Sequence, residues 1–180
     1  MSESSLVELR ENIISDRAVS AREIPKALSD VTDKFLAQLY VTEIDNSDGV
    51  ALVALGGYGR AELAPSSDLD LMLIHQDRED IDSLADRLWY PLWDEGFKLG
   101  HSVRSVDQTL RLASTDLETA TSLLNGRLIA GDSVLLEDLL ARNEEQWVAY
   151  GLDRLDELAR NVRRRHLLSG EVAFLLEPDL

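Results

Sequence analysis

Cysteine is absent from this chain of 180 residues, which excludes disulfide bridges and thiolate chemistry. No apolar run approaches the length of about 18 residues that a membrane-spanning helix needs, so no membrane partner is expected. The N-terminal stretch MSESSLVELRENIIS contains Glu3 and Glu8 and lacks the basic start and apolar core of a secretory signal. These absences are compatible with a cytoplasmic location, which we expect.

Basic residues are scarce: 18 Lys and Arg stand against 34 Asp and Glu, for a formal net charge of −16. Because nucleic-acid binding draws most of its affinity from cationic side chains on phosphates, no nucleic-acid partner is expected. A small anionic substrate is still compatible with this charge if a metal ion or local arginines neutralise it. The composition is otherwise that of a globular protein with one sizeable core, at 44% hydrophobic and 29% charged residues.

Hydrophobic periodicity divides the chain into helices and strands, with a loop over residues 57–67. The predicted order is helix 5–15, helix 20–44, strand 50–55, strand 68–74, helix 79–95, strand 97–104, and helices 105–113, 115–130 and 133–168. Pro91 is predicted to kink its helix or to start a new turn.

This order favours an α+β (mixed α/β) fold, in which helices flank a small sheet and a helical extension follows. Residues 1–49 are predicted to form a helical lead-in and residues 50–113 the core. Residues 114–180 are predicted to form a helical extension that packs on that core.

A buried strand that ends in a glycine pair is the first of three informative features. Gly56 and Gly57 follow the apolar run VALVAL, and Gly59 lies two residues on. Glycine permits positive φ and a close approach of backbone N–H groups to a ligand, and consecutive N–H groups that point one way bind anions. The alternative is a glycine pair that only shapes a turn.

Two carboxylates on the predicted strand 68–74 are the second feature. The strand period of two places Asp68 and Asp70 on one face, while Leu69 and Leu71 point to the other. Neighbouring carboxylates repel unless a cation lies between them, and Mg²⁺ takes one or two carboxylates together with substrate phosphates. The alternative is that Asp68 caps a turn and Asp70 lies at an exposed edge.

Arg60, between the glycines and the carboxylates, is the third feature. Its guanidinium could reach a phosphate, or it could form a surface ion pair with Glu62. Glycines, a two-carboxylate metal site and a cation together suit phosphoryl or nucleotidyl transfer. The stretch is not a Walker loop, since no Gly-Lys-Ser/Thr follows, and GGYGRA lacks the third glycine of a dinucleotide fingerprint.

The pattern GGYGR-x-EL-x-P-x-SD-hydrophobic-D over residues 56–70 closely resembles the nucleotidyltransferase domain of the PII uridylyltransferase/uridylyl-removing enzymes, of the actinobacterial type. These enzymes are a branch of the polymerase-β-like nucleotidyltransferases. The likeness covers roughly residues 50–180 and continues, in order, through Leu92-Trp93-Asp94, Gly100-His101-Ser102-Val103-Arg104, Asp116–Asp132 and Leu176-Glu177-Pro178-Asp179.

The resemblance implies the polymerase-β-like fold and a role for six residues. Asp68 and Asp70 would be the catalytic carboxylates that bind Mg²⁺. The residues that the resemblance places at the nucleotide are Gly56, Gly57, Arg60 and Ser67.

The implied reaction transfers UMP, or AMP, from UTP or ATP to a tyrosine hydroxyl of the nitrogen-signalling PII protein, and releases pyrophosphate. Two alternatives stay open. One is a related nucleotidyltransferase with another acceptor, and the other is a catalytically silent regulatory module that keeps the fold.

The chain departs from the family in two respects. The superfamily usually has a third carboxylate on the next core strand, but the predicted strand 97–104 contains no acid. Glu95 and Asp107 flank it, and His101 lies on it, where a structural histidine is the favoured interpretation. Family members also continue into further domains that include the hydrolase, so we expect a fragment without uridylyl-removing activity.

Overall fold

The computed structural model describes residues 5–169, with a mixed sheet of four strands and seven helices among them. The strands are β1 Val50–Ala54, β2 Leu69–His75, β3 Leu99–Ser105 and β4 Arg127–Gly131. The helices are α1 Leu6–Ser15, α2 Ile24–Glu43, α3 Gly56–Gly59, α4 Ile81–Asp94, α5 Val106–Ala113, α6 Leu117–Leu123 and α7 Ser133–Ser169. The motif at residues 176–179 and the end of the predicted extension lie outside the described residues.

The strand order in the sheet is β3-β2-β1-β4. β1 pairs antiparallel with β2 and with β4, while β2 and β3 are parallel and joined through α4. Every residue of β1 is buried, as expected for a central strand covered on both faces. The predicted mixed α+β class with a small mixed sheet is confirmed.

Helices cover both faces of the sheet, because side chains alternate along each strand. On one face, Leu52, Leu71 and Leu73 pack with residues of α1, α2 and α4. On the other face, Met72 and Ile74 pack with residues of α5, α6 and α7.

The prediction of one helix over residues 115–130 is wrong. α6 ends at Leu123, and β4 then adds a fourth strand beside β1. Leu117, Leu124 and Leu128 keep a helical spacing across the turn, and this spacing conceals the break. The predicted helical extension therefore also contributes a strand to the sheet.

Three predicted boundaries also differ in detail. α2 begins at Ile24 and not at residue 20, because Ser20 forms a separate turn in which its Oγ donates to Glu23 Oε2 at 2.6 Å. The predicted loop opens with the short helix α3. α4 continues through Pro91 to Asp94 as one helix.

Within residues 5–169, no helix is both long enough and apolar enough to cross a membrane.

Candidate active site

Glycines shape the turn that follows β1, which we call the glycine turn (Gly56–Gly59). Gly56 has a φ of +56°, and a Cβ atom there would lie 2.9 Å from Asp70 Oδ2. The backbone oxygen of Asn125 would collide with a Cβ atom at Gly59. Gly57 differs, since a Cβ atom there would meet nothing closer than 3.8 Å. The packing thus explains Gly56 and Gly59 but does not require a glycine at Gly57.

A hydrogen-bond network, which we call the Arg127 clamp (Arg127, Asp33 and Tyr58), holds the glycine turn. Arg127 donates to both carboxylate oxygens of Asp33, from Nη1 at 2.6 Å and from Nη2 at 3.1 Å. The same guanidinium donates to the backbone oxygens of Tyr58 and Gly59, each at 3.1 Å. Tyr58 Oη donates to Asp33 Oδ1 at 2.7 Å. Burial, and then this bond to Asp33, raise the pKa of Tyr58.

β2 places the carboxylate of Asp70 between two glycines. Asp70 lies opposite Gly100 in the register of β2 and β3, and a Cβ atom at Gly100 would collide with Asp70 Oδ1. Because Oδ2 faces Gly56, the carboxylate lies between the glycine turn and β3. Leu69 and Leu71 are buried on the opposite face, as the strand period predicts.

Negative charge accumulates around Asp70. Burial raises the pKa of Asp70, and the charges of Asp68 and Glu118 raise it further. Glu118 lies in the first turn of α6. Among the described residues, no group of three or more His, Cys, Asp and Glu side chains is placed to hold a metal ion. Asp68 and Asp70 stay the predicted metal-binding carboxylates.

Arg60 and Ser67 lie on the exposed loop between the glycine turn and β2. Arg60 Nε donates to Glu62 Oε2 at 2.7 Å, which is the surface ion pair that the sequence offers as an alternative. Its Nη1 also donates to the backbone oxygen of Gly56 at 3.3 Å. Ser67 Oγ donates to the backbone oxygen of Ala64 at 3.0 Å. Their predicted contact with a nucleotide stays a prediction.

The residues considered as a third metal ligand have other contacts. Asp107 pairs with Arg142 at 2.7 Å. Glu95 accepts a hydrogen bond from the backbone N–H of Val7 at 3.2 Å. His101 lies opposite Leu71 in the strand register and has its ring 5.3 Å from that of Trp93. This position is on the face of the sheet away from Asp70, which agrees with the structural interpretation of His101.

Sequence reasoning does not single out Asp33 or Glu118. Both lie within amphipathic helices, where an acidic residue is most simply read as part of a solvated face. Only the pairing of β4 with β1 brings Arg127 to Asp33, a residue 94 positions earlier.

The sequence matches the family described as "Putative nucleotidyltransferase DUF294" over residues 7–102. It is 43% identical over 173 residues to the "Bifunctional uridylyltransferase/uridylyl-removing enzyme" of Streptomyces coelicolor. The aligned region covers 95% of this chain and 21% of that protein. It is 42% identical over 139 residues to the protein of the same name from Mycobacterium tuberculosis. Here the aligned region covers 76% of this chain and 17% of that protein. The resemblance seen in the sequence is confirmed, and the chain spans about a fifth of the length of these relatives.

A solved structure of a toxin-antitoxin with AMP-PNP is also similar, with a TM-score of 0.43 and 13% identity. The likeness covers 72% of this chain and 98% of that one.

Proposed function

The chain belongs to the DUF294 nucleotidyltransferase family, and on this basis we propose that it transfers a nucleotidyl group from a nucleoside triphosphate to a hydroxyl group, with Mg²⁺ as cofactor. The observation that carries the proposal is the position of Asp70, whose carboxylate lies between the glycine turn and β3 with Asp68 two residues away. Asp68 and Asp70 are the proposed catalytic carboxylates.

Unused backbone donors support a phosphate site beside Asp70. Within residues 5–169, neither the N–H of Gly56 nor that of Gly57 donates to a protein acceptor. Both belong to the turn that faces Asp70 Oδ2. A Cβ atom at Gly57 would lie 3.8 Å from its nearest described neighbours, so the packing leaves open space beside this residue. Phosphate oxygens would accept hydrogen bonds from such amides. Arg60 and Ser67, on the adjoining loop, are the further proposed contacts of the nucleotide.

The donor set suits Mg²⁺, which takes carboxylate oxygens together with substrate phosphates. Asp68 and Asp70 would hold the ion, and a cation here would relieve the like charge that raises the pKa of Asp70. When bound there, Mg²⁺ would polarise the α-phosphate and stabilise the leaving pyrophosphate.

The proposed step is a displacement at the α-phosphorus. The acceptor's hydroxyl oxygen forms a new bond to that phosphorus, and its proton passes to solvent. The bond from the α-phosphorus to the β-phosphate breaks, and pyrophosphate leaves with the electron pair. The glycine turn would orient the triphosphate for this step, and the Arg127 clamp would fix the glycine turn.

The proposed substrates are UTP or ATP, and the proposed acceptor is a tyrosine hydroxyl of a nitrogen-signalling PII protein. The relatives are named for uridylyl transfer, and the match to them covers most of this chain, which supports the UTP donor. The PII acceptor and the ATP alternative follow from the resemblance of residues 50–180 to the PII uridylyltransferases. A nucleotidyltransferase with another acceptor has the same metal site and differs only in its lack of reaction with PII.

A calorimetric titration tests the nucleotide site. Non-hydrolysable analogues of UTP and ATP are titrated with and without Mg²⁺ into the chain, into Asp70→Asn and into the control Asp138→Asn. Asp138 is an exposed carboxylate of α7 that pairs with Arg142, so this control makes the same chemical change away from the site.

We expect Mg²⁺-dependent binding that Asp70→Asn loses and Asp138→Asn keeps, and the preferred base selects between UMP and AMP transfer. Binding of neither analogue, or equal binding by Asp70→Asn, would contradict the proposal. Such a result would favour a module that keeps the fold without the chemistry.

A further inference from the structure

The outer edge of β3 is an open sheet edge next to Asp70. Among residues 5–169, β3 ends the sheet on this side, and its seven residues pair with β2 alone. A strand edge with free N–H and C=O groups is a template on which another extended segment can pair.

The register shows which backbone groups of β3 point outward. The N–H of Leu69 donates to the carbonyl of Lys98 at 3.0 Å, so Lys98 points toward β2. Because neighbouring residues of a strand direct their backbone groups to opposite sides, Leu99, His101 and Val103 direct theirs outward. Within residues 5–169, no strand lies on this outer side of β3, so these three N–H groups face away from the sheet.

Gly100 places no side chain between this edge and the carboxylate of Asp70. Asp70 Oδ1 occupies the space that a Cβ atom at Gly100 would need. A strand added to β3 would lie about 4.8 Å from it. A side chain opposite Gly100 on such a strand would project from the same face as Asp70, and a long hydroxyl-bearing side chain would reach the carboxylate without an intervening side chain.

Exposed aromatic side chains border the same edge on the other face of the sheet. The ring of Trp93 lies 5.3 Å from that of His101 and 5.5 Å from that of Tyr90. Trp93 is 38% exposed and Tyr90 is 57% exposed. On the added strand, one residue lies opposite Gly100. The residues just before and after it would point to this other face and contact these rings, because side chains alternate along a strand.

From this arrangement we infer that the acceptor docks as an extended segment along the outer edge of β3, with its hydroxyl-bearing residue opposite Gly100. The inference rests on the proposed function and adds the position at which the acceptor binds. Oδ2 of Asp70 then faces the glycine turn and the nucleotide, and Oδ1 faces the acceptor. The other sheet edge, β4, is two strands away from Asp70 and offers no such path.

Amide hydrogen exchange of the whole chain, with and without the PII protein proposed as acceptor, tests the docking. We expect the N–H groups of His101 and Val103 to exchange at least about tenfold more slowly when the acceptor is added. The N–H groups of Gly100 and Ser102 point toward β2 and serve as internal controls, because they are protected in both states.

Three results would overturn the inference: unchanged exchange at His101 and Val103 in a complex with the acceptor, no complex at all, or protection without acceptor that grows with chain concentration. The last result would assign the edge to a second copy of the chain. A failure of the proposed function is seen separately, as absence of Mg²⁺-dependent nucleotide binding, which this edge does not affect.

A kinetic comparison adds an independent readout. Trp93→Ala is expected to raise the KM for the acceptor about tenfold, as truncation of an interface aromatic does, and to leave the KM for the nucleotide unchanged. The control is Tyr150→Ala, an exposed aromatic of α7. Equal KM values for Trp93→Ala and the control, or a parallel change in nucleotide KM, would count against docking at this edge.

Discussion

The two sides of Asp70 are built in opposite ways. On one side the glycine turn is held by the Arg127 clamp, which joins α2, the turn and β4 through four hydrogen bonds of one guanidinium. On the other side, β3 forms a sheet edge that no described strand covers, and exposed aromatic rings border it. A rigid side suits a triphosphate, whose flexible chain must be held in one conformation to react. An open side suits a partner that must arrive and leave.

The largest expected effect separates two glycines of the rigid side. Gly59→Ala should cost about 3 kcal/mol of unfolding free energy, because its Cβ atom would collide with the backbone of Asn125. Gly57→Ala should change the stability by less than about 1 kcal/mol but weaken Mg²⁺–nucleotide binding about tenfold. Urea unfolding and calorimetry measure the two quantities. Equal stability losses would show that Gly57 is as constrained by packing as Gly59.

The next effect tests the Arg127 clamp. Arg127→Ala should cost about 2 kcal/mol, because it leaves Asp33 partly buried without its cation and frees two backbone carbonyls. The matched control is Arg142→Ala, which breaks exposed pairs with Asp107 and Asp138 and should cost less than about 1 kcal/mol. Urea unfolding of both variants gives the difference, and equal losses would refute a special role of the clamp.

The smallest effect concerns Asp70 itself and depends on pH. Because the folded state raises the pKa of Asp70, ionisation of this carboxyl disfavours folding. The protonated Asp70 carboxyl contributes its full stabilisation below the pKa of the unfolded chain, about 3.9. This contribution is lost as the pH rises through the higher pKa of the folded chain. Without metal, Asp70→Asn should therefore melt slightly higher than the natural chain at pH 7, and this advantage should disappear near pH 3.

Thermal unfolding at several pH values measures this effect. Addition of Mg²⁺ should raise the Tm of the natural chain and not that of Asp70→Asn, because the proposed metal site needs the Asp70 carboxylate. A lower Tm of the variant at pH 7 would mean that the Asp70 carboxylate stabilises the fold.

The sequence alone predicts the parts of this site that depend on local pattern. The apolar run before Gly56 identifies β1, and the spacing of Asp68 and Asp70 places both away from the buried leucines of β2. β4 is not predicted, because the spacing of Leu117 and Leu128 continues a helical period through the turn that precedes the strand. The position of Gly100 beside Asp70 depends on strand register, which no local pattern encodes.

The Arg127 clamp also has a consequence for the order of folding. Its two charged groups are 94 positions apart, so closing the loop between them carries a high entropic cost and depends on β4 docking beside β1. We therefore expect the glycine turn to reach its final shape late in folding, after the central strands have paired. A chain stopped before that stage would hold most of its core without the proposed nucleotide site. Mg²⁺-dependent nucleotide binding should therefore return more slowly than helix content during refolding.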